Sequence, residues 1–148
     1  MSKQIGVKAM CLFKHQDKLL FSSHVHAQSG TNYFRPLGGS LMFQETSADA
    51  IQRELQEELG AAITNLVFVD VLENIFEYKG ELRHEIIFIY KADFEDQQFY
   101  ETNPIHFQED DLAHYQTQWI SLTEIRTHSL RLVPEGIEQC IQKAYRLQ

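Results

Sequence analysis

An acidic segment, residues 39–61, carries the side chains whose types and spacing could do chemistry. Its last nine residues read Arg53-Glu54-Leu55-Gln56-Glu57-Glu58-Leu59-Gly60-Ala61. On a helix, side chains three and four positions apart are neighbours, so Glu54, Glu57 and Glu58 should cluster and repel one another by about 0.3 kcal/mol per solvated pair. A Mg²⁺ or Mn²⁺ ion would turn this repulsion into attraction, because hard cations prefer oxygen ligands. The spacing therefore predicts a divalent metal site on a helix.

Acidic runs on helices are usually solvated faces, and the glutamates alone would fit that interpretation. Here they occur together with Gly39, Glu45, Arg53 and Gly60 at set spacings, with the apolar Leu55 among them. A structural protein with an acidic helix would explain neither Arg53 nor Glu45. The combination therefore favours metal-dependent chemistry over a solvated face.

The 23 residues from Gly39 to Ala61 resemble the signature box of the Nudix hydrolases, with every position in register. The flanking segments 35–39 and 118–122 are also similar to the family, although only the box is specific. Two positions depart from the family pattern: Ala61 stands where a large aliphatic residue is usual, and Gln44 stands where glycine is common. Both departures concern packing and loop shape, and they leave the expected metal ligands intact.

The resemblance implies an α/β fold, a Nudix-like α/β/α sandwich with a mixed sheet and a loop-helix-loop catalytic motif. It also implies hydrolysis of the pyrophosphate bond in a nucleoside diphosphate linked to another moiety, with Mg²⁺ as the cofactor and Mn²⁺ as the alternative. By position, Glu54, Glu57 and Glu58 would hold the metal together with the backbone carbonyl of Gly38. Arg53 would complete the catalytic set by orienting these carboxylates through ion pairs.

The base that takes the proton from the attacking water is left open by the sequence. In the family this role moves between subfamilies. Glu54 is one candidate, and the acids of a later loop are the other: Glu101, Glu109, Asp110 and Asp111. A solvated loop acid is the ordinary interpretation of each of these four. The resemblance also implies that Glu45 braces the loop before the helix.

Two residues outside the box are candidates for binding the substrate. Arg35 should lie in extended backbone just before the box and could meet a phosphate as a bidentate donor, with a plain surface arginine as the alternative. Tyr78 lies 17 residues beyond the box, where Nudix enzymes acting on dinucleoside polyphosphates resemble one another in carrying a tyrosine. Strand aromatics are more often core residues than base-stacking ones, and this choice stays open for Tyr33, Phe34 and Phe76.

Histidines outside the box give weaker signals. His24 and His26 share one face of a strand at a metal-ligand spacing, but no third ligand lies nearby in sequence, so a histidine metal site is not expected. His84 and Glu85 are interpreted as surface positions at a strand end. No Ser-His-Asp or Cys-His arrangement stands out that would suggest a protein nucleophile.

The acidic segment must be presented by a helix, and its flanking residues delimit one. Thr46 or Ser47 can cap its start, and Gly60 is a natural stop after Leu59. The helical wheel predicts one buried stripe, made of Ala48, Ile51, Leu55 and Leu59. The three acids are expected roughly 110° round the helix from that stripe.

Strands are expected on both sides of this helix. Residues 5–13 and 19–26 should form a hairpin, and residues 33–37 should be extended because Pro36 restricts the residue before it. Three further strands are predicted, at Leu66–Tyr78, Leu82–Ala92 and Gln116–Ile120.

The end of the chain should form a second helix. It is expected to start at Pro134 and to bury the residues that recur at helical spacing: Ile137, Cys140, Ile141, Ala144 and Leu147. Residues 93–113 fit neither a helical nor a strand period, so they are expected to be a functional or disordered loop.

The bulk composition limits the class of partner. The 148 residues suit one domain covering residues 1–148. The net charge of −8 would repel nucleic acids and anionic membranes, so neither is expected as a partner, and a nucleotide-like small molecule is expected instead.

The location and assembly of the protein are expectations of the same kind. Residues 1–4 lack the apolar core of a signal peptide, and Cys11 and Cys140 suit neither a disulfide framework nor a zinc pattern, which favours the cytoplasm. Many members of the family are dimers, which raises the expectation of a homodimer. The alternative to an enzyme is a Nudix-like domain that senses a nucleotide derivative without cleaving it, although a pure binder has no need of the glutamate cluster.

Overall fold

The computed structural model describes residues 3–25, 32–106 and 116–146. The strands are β1 (Gly6–Leu12), β2 (Lys14–His15), β3 (Lys18–Val25), β4 (Asn32–Arg35), β5 (Leu37–Ser40), β6 (Ile63–Tyr78), β7 (Glu81–Phe94), β8 (Ile105–His106), β9 (Gln116–Ser121) and β10 (Arg131–Leu132). The helices are α1 (Ser47–Leu59), α2 (Gln98–Glu101), α3 (Leu122–Thr127) and α4 (Ile137–Tyr145). Within the described ranges, no helix combines the length and the apolar character needed to cross a membrane.

The strands form two sheets. The first sheet has the order β5-β1-β7-β6, in which β1 runs parallel to β7 and antiparallel to β5. The second sheet has the order β10-β4-β3-β9-β8, with the short β2 added to β3. In this second sheet β10 is parallel to β4, and the other pairs are antiparallel. The mixed sheet predicted from the sequence is confirmed.

Alternate residues of β1 show how helices cover both faces of the first sheet. Ala9 and Cys11 lie in one buried cluster with Ile51 and Leu55 of α1. Met10 and Leu12 lie in a second cluster with residues of α4 and the second sheet, namely Ile137, Ile141, Phe21 and Phe34. Since successive strand residues point to opposite faces, α1 and α4 lie on opposite sides of this sheet. The α/β/α sandwich is confirmed.

The predicted hairpin between residues 5–13 and 19–26 is confirmed only next to its turn, and the predicted pairing of the first long strand with the second is wrong. Strand β1 pairs with β5 and β7 in the first sheet, whereas the hairpin partner of β3 is β2. Four consecutive residues, 9–12, are buried, and burial on both faces is typical of a central strand that has neighbours on each side. By contrast, the two long strands around the turn at Lys79 and Gly80 are confirmed as β6 and β7.

The C-terminal helix begins later than the sequence predicts. Helix α4 starts at Ile137, and Gly136, with φ of 92°, precedes it. Pro134 therefore lies in the turn before the helix rather than in its first turn. Of the residues expected to be buried, Ile137, Cys140 and Ile141 are buried, Ala144 is half-buried, and Leu147 lies outside the described residues.

The stretch 93–113, expected as a loop, contains more regular structure than its pattern suggests. Strand β7 continues through Phe94, and α2 and β8 follow. Trp119 of β9 donates its indole N–H to the Phe99 carbonyl at 2.8 Å, and Phe94 stacks on Phe13 with ring centroids 4.1 Å apart. These long-range contacts order a segment whose own sequence carries no clear period. Residues 107–113 lie outside the described residues.

The β6–β7 hairpin leaves several apolar side chains in solvent. Val71, Ile75 and Leu82 are 42%, 71% and 69% exposed. Exposed apolar patches on a folded domain often mark contact surfaces. These residues are therefore candidates for contact with another molecule.

Strand β5 approaches β1 so closely that Gly38 has no room for a side chain. Its φ is 149°, and a Cβ atom built there would lie 2.0 Å from the Ala9 carbonyl oxygen and 2.8 Å from the Met10 Cα. These atoms are backbone, so they cannot move without disturbing the pairing of β1 with β5. Only glycine fits this position.

We expect Gly38→Ala to lower the free energy of unfolding by about 3 kcal/mol or more, because the new methyl group would separate two paired strands. Gly80→Ala is the matched control: its φ is also positive, at 78°, but its Cβ would meet no atom within 4 Å. The control should cost only about 1 kcal/mol of backbone strain. Urea unfolding followed by circular dichroism measures both, and equal losses in the two variants would contradict the steric explanation.

Candidate active site

Helix α1 presents the acidic segment, and both of its ends are capped. The Thr46 hydroxyl accepts a hydrogen bond from the Asp49 N–H at 3.1 Å, so Thr46 rather than Ser47 is the N-cap. Gly60, with φ of 65°, is the C-cap, and its N–H donates to the carbonyls of Leu55 and Gln56. Ser47 instead shares a 2.6 Å hydrogen bond with the Tyr90 hydroxyl of β7. The helix is thus fixed by groups other than the box glutamates.

The buried side of α1 differs from the predicted stripe in two ways. Its buried residues are Ala50, Ile51, Leu55, Glu58 and Leu59. Ala48, expected in the stripe, is only half-buried. Glu58, expected on the acidic face, is only 9% exposed. Glu58 follows Leu55 by three positions, so a small rotation of the helix brings its side chain toward the buried side.

Arg53 holds the acidic segment together. Its Nε donates to Glu45 Oε2 at 2.7 Å, and its Nη2 donates to Glu45 Oε1 at 2.9 Å and to the Ser40 carbonyl at 3.0 Å. Its Nη1 donates to Glu54 Oε1 at 3.1 Å and to Glu57 Oε2 at 3.3 Å. A guanidinium has five N–H donors, and these contacts engage all of them.

The loop before α1 is closed by Glu45. Its carboxylate accepts the Met42 N–H at 3.0 Å, and its own N–H donates to the Met42 carbonyl at 3.0 Å. Hydrogen bonds from Arg53 and then from the Met42 N–H lower the pKa of Glu45 from 4.5 to about 2. Hydrogen bonding to Glu45 likewise raises the pKa of Arg53 above its usual value. Gln44 has φ of 68°, which explains why glycine suits this position.

A glycine makes room for one of the box carboxylates. A Cβ atom on Gly39 would lie 2.4 Å from Glu54 Oε1 and 2.6 Å from its Cδ. The Glu54 carboxylate therefore rests directly against the backbone of β5. This close approach brings the acidic face of α1 next to the strand that contains Gly38.

The three box glutamates do not converge on one point. Within residues 3–25, 32–106 and 116–146, no group of three His, Cys, Asp or Glu side chains is arranged to hold a metal ion. Arg53 donates hydrogen bonds to Glu54 and Glu57. Glu58 instead turns toward the buried side of the helix, so its carboxylate does not join the other two. The oxygen ligands nevertheless suit a hard cation, because carboxylates lie near the backbone of a strand. Gly39, which has no side chain, lets the Glu54 carboxylate approach that backbone closely. The metal ligands stay a prediction.

A cavity of about 610 Å³ takes its walls from both sheets. Its lining contains both residues that the sequence suggests for substrate binding, Arg35 and Tyr78. Tyr33 and Phe76 line it as well, whereas Phe34 is 4% exposed and lies in the core. The box residues 53–58 are absent from the described part of this lining. The acidic face of α1 and this cavity are therefore separate features of the structure, and the cavity wall carries aromatic, basic and acidic side chains.

Sequence reasoning missed several residues of this cavity. Lys8 and Glu85 line it and form an ion pair at 2.8 Å, so the interpretation of Glu85 as a plain surface residue is wrong. The register pairs Gly6 with Glu85 and Lys8 with Ile87, and this parallel pairing of distant segments has no local sequence signal. His24 and Arg131 also line the cavity. No local pattern in β3 points to a cavity position for His24.

Other candidates from the sequence lie away from the box or outside the described residues. Glu101, a candidate base, is an exposed residue of α2. The other loop candidates, Glu109, Asp110 and Asp111, lie outside the described residues, as does His26. The Glu54 carboxylate, beside Gly39, is the one candidate base that the structure describes within the box.

The sequence of this chain matches the NUDIX domain family over residues 3–142. The chain belongs to that family. Three solved structures are similar to it. A NUDIX hydrolase from Nitrosomonas europaea has 16% identity and a TM-score of 0.69, and the match covers 97% of this chain and 90% of that chain. The E. coli ORF135 protein has 23% identity and a TM-score of 0.64, with 98% of this chain and 91% of that chain covered. A MutT NUDIX hydrolase from Burkholderia pseudomallei has 17% identity and a TM-score of 0.68, with 95% of this chain and 98% of that chain covered. At these identities the likeness shows the fold alone. No curated protein matches the sequence.

Family membership establishes the general activity of this Nudix domain. It is a pyrophosphohydrolase, and the reaction of the family is the hydrolysis of nucleoside diphosphate derivatives. The family and the enzyme class predicted from residues 39–61 are therefore confirmed.

The pairing of Glu45 with Arg53 should make stability depend on pH in a defined window. Because the pKa of Glu45 is about 2 in the folded protein against an ordinary 4.5, the unfolded chain binds the proton more tightly. The contribution of Glu45 to the free energy of unfolding is fully present above about pH 4.5 and is lost as the pH falls toward about 2. Glu45→Gln removes this titration. We therefore expect the stability difference between wild type and Glu45→Gln to shrink as the pH falls through this window.

Urea unfolding at a series of pH values measures this difference. Asp49→Asn, which changes a nearby exposed acid that does not contact Arg53, is the control and should not reproduce the effect. A wild-type advantage over Glu45→Gln that stays constant from pH 6 to pH 2.5 would contradict the proposed linkage.

Proposed function

We propose that this Nudix domain is a Mg²⁺-dependent enzyme that hydrolyses the pyrophosphate bond of a nucleoside diphosphate linked to another moiety, with Mn²⁺ as the alternative metal. The observation that carries the proposal is the Arg53 network, which fixes Glu54 and Glu57 on one side of α1 beside the backbone of β5. A solvated acidic face would need neither a fully engaged arginine nor a glycine that makes room for a carboxylate.

The residues proposed to hold the metal are Glu54, Glu57, Glu58 and the backbone carbonyl of Gly38. When bound, a divalent ion would neutralise charge on the phosphate oxygens and lower the pKa of a water, so that the water can lose a proton and act as the nucleophile near neutral pH. Within this chain, Arg53 keeps the carboxylates in position, and Glu45 keeps Arg53 and the loop in position. These ion pairs keep Glu54 and Glu57 near β5, and in-line attack at phosphorus depends mainly on the positioning of groups.

The proton of the attacking water must pass to a base. Glu54 is proposed as one candidate, because its carboxylate lies against Gly39 and beside the strand backbone. Glu101 and the acids at 109–111 are the other candidates, and the choice between these groups stays open. A pH profile of kcat for each carboxylate-to-amide variant would distinguish them, because the base variant alone should lose the acidic limb of the profile.

The substrate is proposed to reach from the acidic face of α1 into the cavity. Arg35 and Tyr78 support this, because both line the cavity. Aromatic walls suit a nucleobase, and a guanidinium suits a phosphate. A domain that only senses a nucleotide derivative is the alternative, and turnover distinguishes it: a pure sensor would release no phosphate product from a mixed panel of nucleoside diphosphate derivatives in Mg²⁺.

The remaining expectations about partners stay proposals. The exposed apolar residues Val71, Ile75 and Leu82 support a homodimer, which light scattering would test. The net charge of −8 supports a small-molecule partner rather than nucleic acid or a membrane. A cytoplasmic location is proposed on the absence of any structural need for disulfides, since Cys11 and Cys140 are both buried free thiols.

We expect Glu57→Gln and Glu58→Gln each to lower kcat by about 100-fold or more, because each removes charge that would hold the metal. Glu73→Gln is the matched control, since Glu73 is an exposed glutamate of β6 remote from α1 in the chain. Steady-state hydrolysis of ADP-ribose or another active substrate in Mg²⁺ gives kcat, and circular dichroism checks the fold.

The control should keep its activity within about twofold, as is usual for surface substitutions away from a site. An unchanged kcat in folded Glu57→Gln and Glu58→Gln would rule out the assignment of these residues to the metal. Activity that persists fully in excess EDTA would rule out metal dependence itself.

A further inference from the structure

Arg35 of β4 is fixed at one end of its guanidinium group. Its Nε–H donates to His24 Nε2 at 3.2 Å. An arginine Nε can only donate, so His24 Nε2 is the acceptor in this contact. His24 itself is only 9% exposed, lies 2.8 Å from the Ser22 hydroxyl and stacks on Tyr33 with ring centroids 5.2 Å apart. A buried, packed histidine therefore holds Arg35 in one orientation.

Arg35 lines the cavity, and its terminal nitrogens have no protein partner among the described residues. Among the described residues, Arg35 makes one hydrogen bond, to His24, and it forms no ion pair with any of them. The four N–H groups on its two terminal nitrogens remain for a ligand. An arginine that is held at Nε in a cavity wall and has unused terminal donors is suited to bind an anion in bidentate fashion.

A second guanidinium belongs to the same wall. Strand β10 runs parallel to β4 and places Arg131 opposite Tyr33, two residues from Arg35 on the same side of the strand. Arg131 lines the cavity, and within ranges 3–25, 32–106 and 116–146 it forms no ion pair. Two arginines without carboxylate partners on adjacent strands are unexpected on a chain of net charge −8, because acidic groups are abundant. Glu77 and Glu135 also line the cavity but do not pair with either arginine.

We propose that Arg35 and Arg131 form an anion subsite for a phosphate group of the substrate. This phosphate is an additional one, beyond the two phosphates of the pyrophosphate group that the proposed function places at α1. The box residues do not line the described part of the cavity, so the phosphate bound by the arginines is separate from the one at the glutamates. Arg35 precedes Gly38 by three residues, at most about 10 Å of extended chain, so one substrate reaches both. The substrate class is therefore a nucleotide derivative with three or more phosphates, an inference that rests on the proposed function.

The first test measures binding without metal. Isothermal titration calorimetry in EDTA, with diadenosine tetraphosphate as the probe, compares wild type with Arg35→Gln, Arg131→Gln and the control Arg146→Gln. Arg146 is an exposed arginine near the end of α4, so the control removes the same charge elsewhere. We expect Kd to rise about tenfold or more in the two cavity variants, as for lost charge-assisted hydrogen bonds. An equal, small effect in all three variants would overturn the subsite.

The second test asks whether the number of phosphates matters. In Mg²⁺, wild type should show a higher kcat/KM for diadenosine tetraphosphate than for diadenosine diphosphate, and Arg131→Gln should reduce that preference about tenfold. A wild type without the preference, or a variant that loses activity equally on both compounds, would overturn the substrate class. The outcome is distinguishable from failure of the proposed function: Glu57→Gln should lose turnover yet keep the metal-free Kd of wild type.

His24 acts in this subsite as a positioning residue. His24→Leu removes the acceptor of the Arg35 Nε–H, so Kd and KM for diadenosine tetraphosphate should rise while kcat changes little. His24→Gln, whose amide oxygen can accept the same hydrogen bond, should restore most of the affinity. Thermal unfolding of both variants separates this effect from loss of folding. Equal Kd values for folded His24→Leu and wild type would overturn the positioning role.

Discussion

The guanidinium of Arg53 joins three parts of the chain that are otherwise separate. It bonds the Ser40 carbonyl at the end of β5, the Glu45 carboxylate in the following loop, and Glu54 and Glu57 on α1. Each contact is modest alone, because exposed ion pairs contribute little. Together they use every donor of a planar group whose geometry cannot be copied by lysine. The loop, the strand end and the acidic helix therefore keep one relative arrangement.

The local features of α1 could be predicted because they depend on residues near one another in sequence. Thr46, Gly60 and the repeat of apolar residues are enough to delimit a helix, and the structure differs only in details of its buried side. The burial of Glu58 could not be predicted, because it depends on how the whole helix rotates against β1 and β7. A wheel gives relative angles within a helix but not its orientation in the core.

The cavity could not be predicted because its residues come together only through long-range pairing. The sequence suggests Arg35 and Tyr78 for separate reasons, and no pattern in it indicates that both residues line one cavity. Arg131 joins them through the parallel pairing of β10 with β4, and Glu85 joins through the parallel pairing of β1 with β7. Parallel pairing connects segments that are distant in the chain, so neither contact leaves a local pattern. For the same reason the sequence predicts a hairpin for β1 and gives no sign of its pairing with β7.

The acidic face of α1 and the cavity carry different charged side chains. The box glutamates lie on α1, whereas Arg35 and Arg131, which form no ion pair among the described residues, lie on strands of the second sheet. Under the proposed function, the two ends of the substrate would therefore meet side chains of opposite charge. Glu77, Glu85 and Glu135 line the same cavity, so its wall carries both signs.

The walls of the cavity belong to two sheets that form separate hydrogen-bonded ladders. A molecule that touches both walls would therefore act as a bridge between layers that are otherwise held by apolar packing. Such a bridge favours the folded chain by mass action, by about 2.7 kcal/mol when the free ligand is at 100 times its Kd. Resistance of this protein to proteolysis should then rise with the concentration of such a ligand, because the bound molecule adds to the apolar packing between the layers.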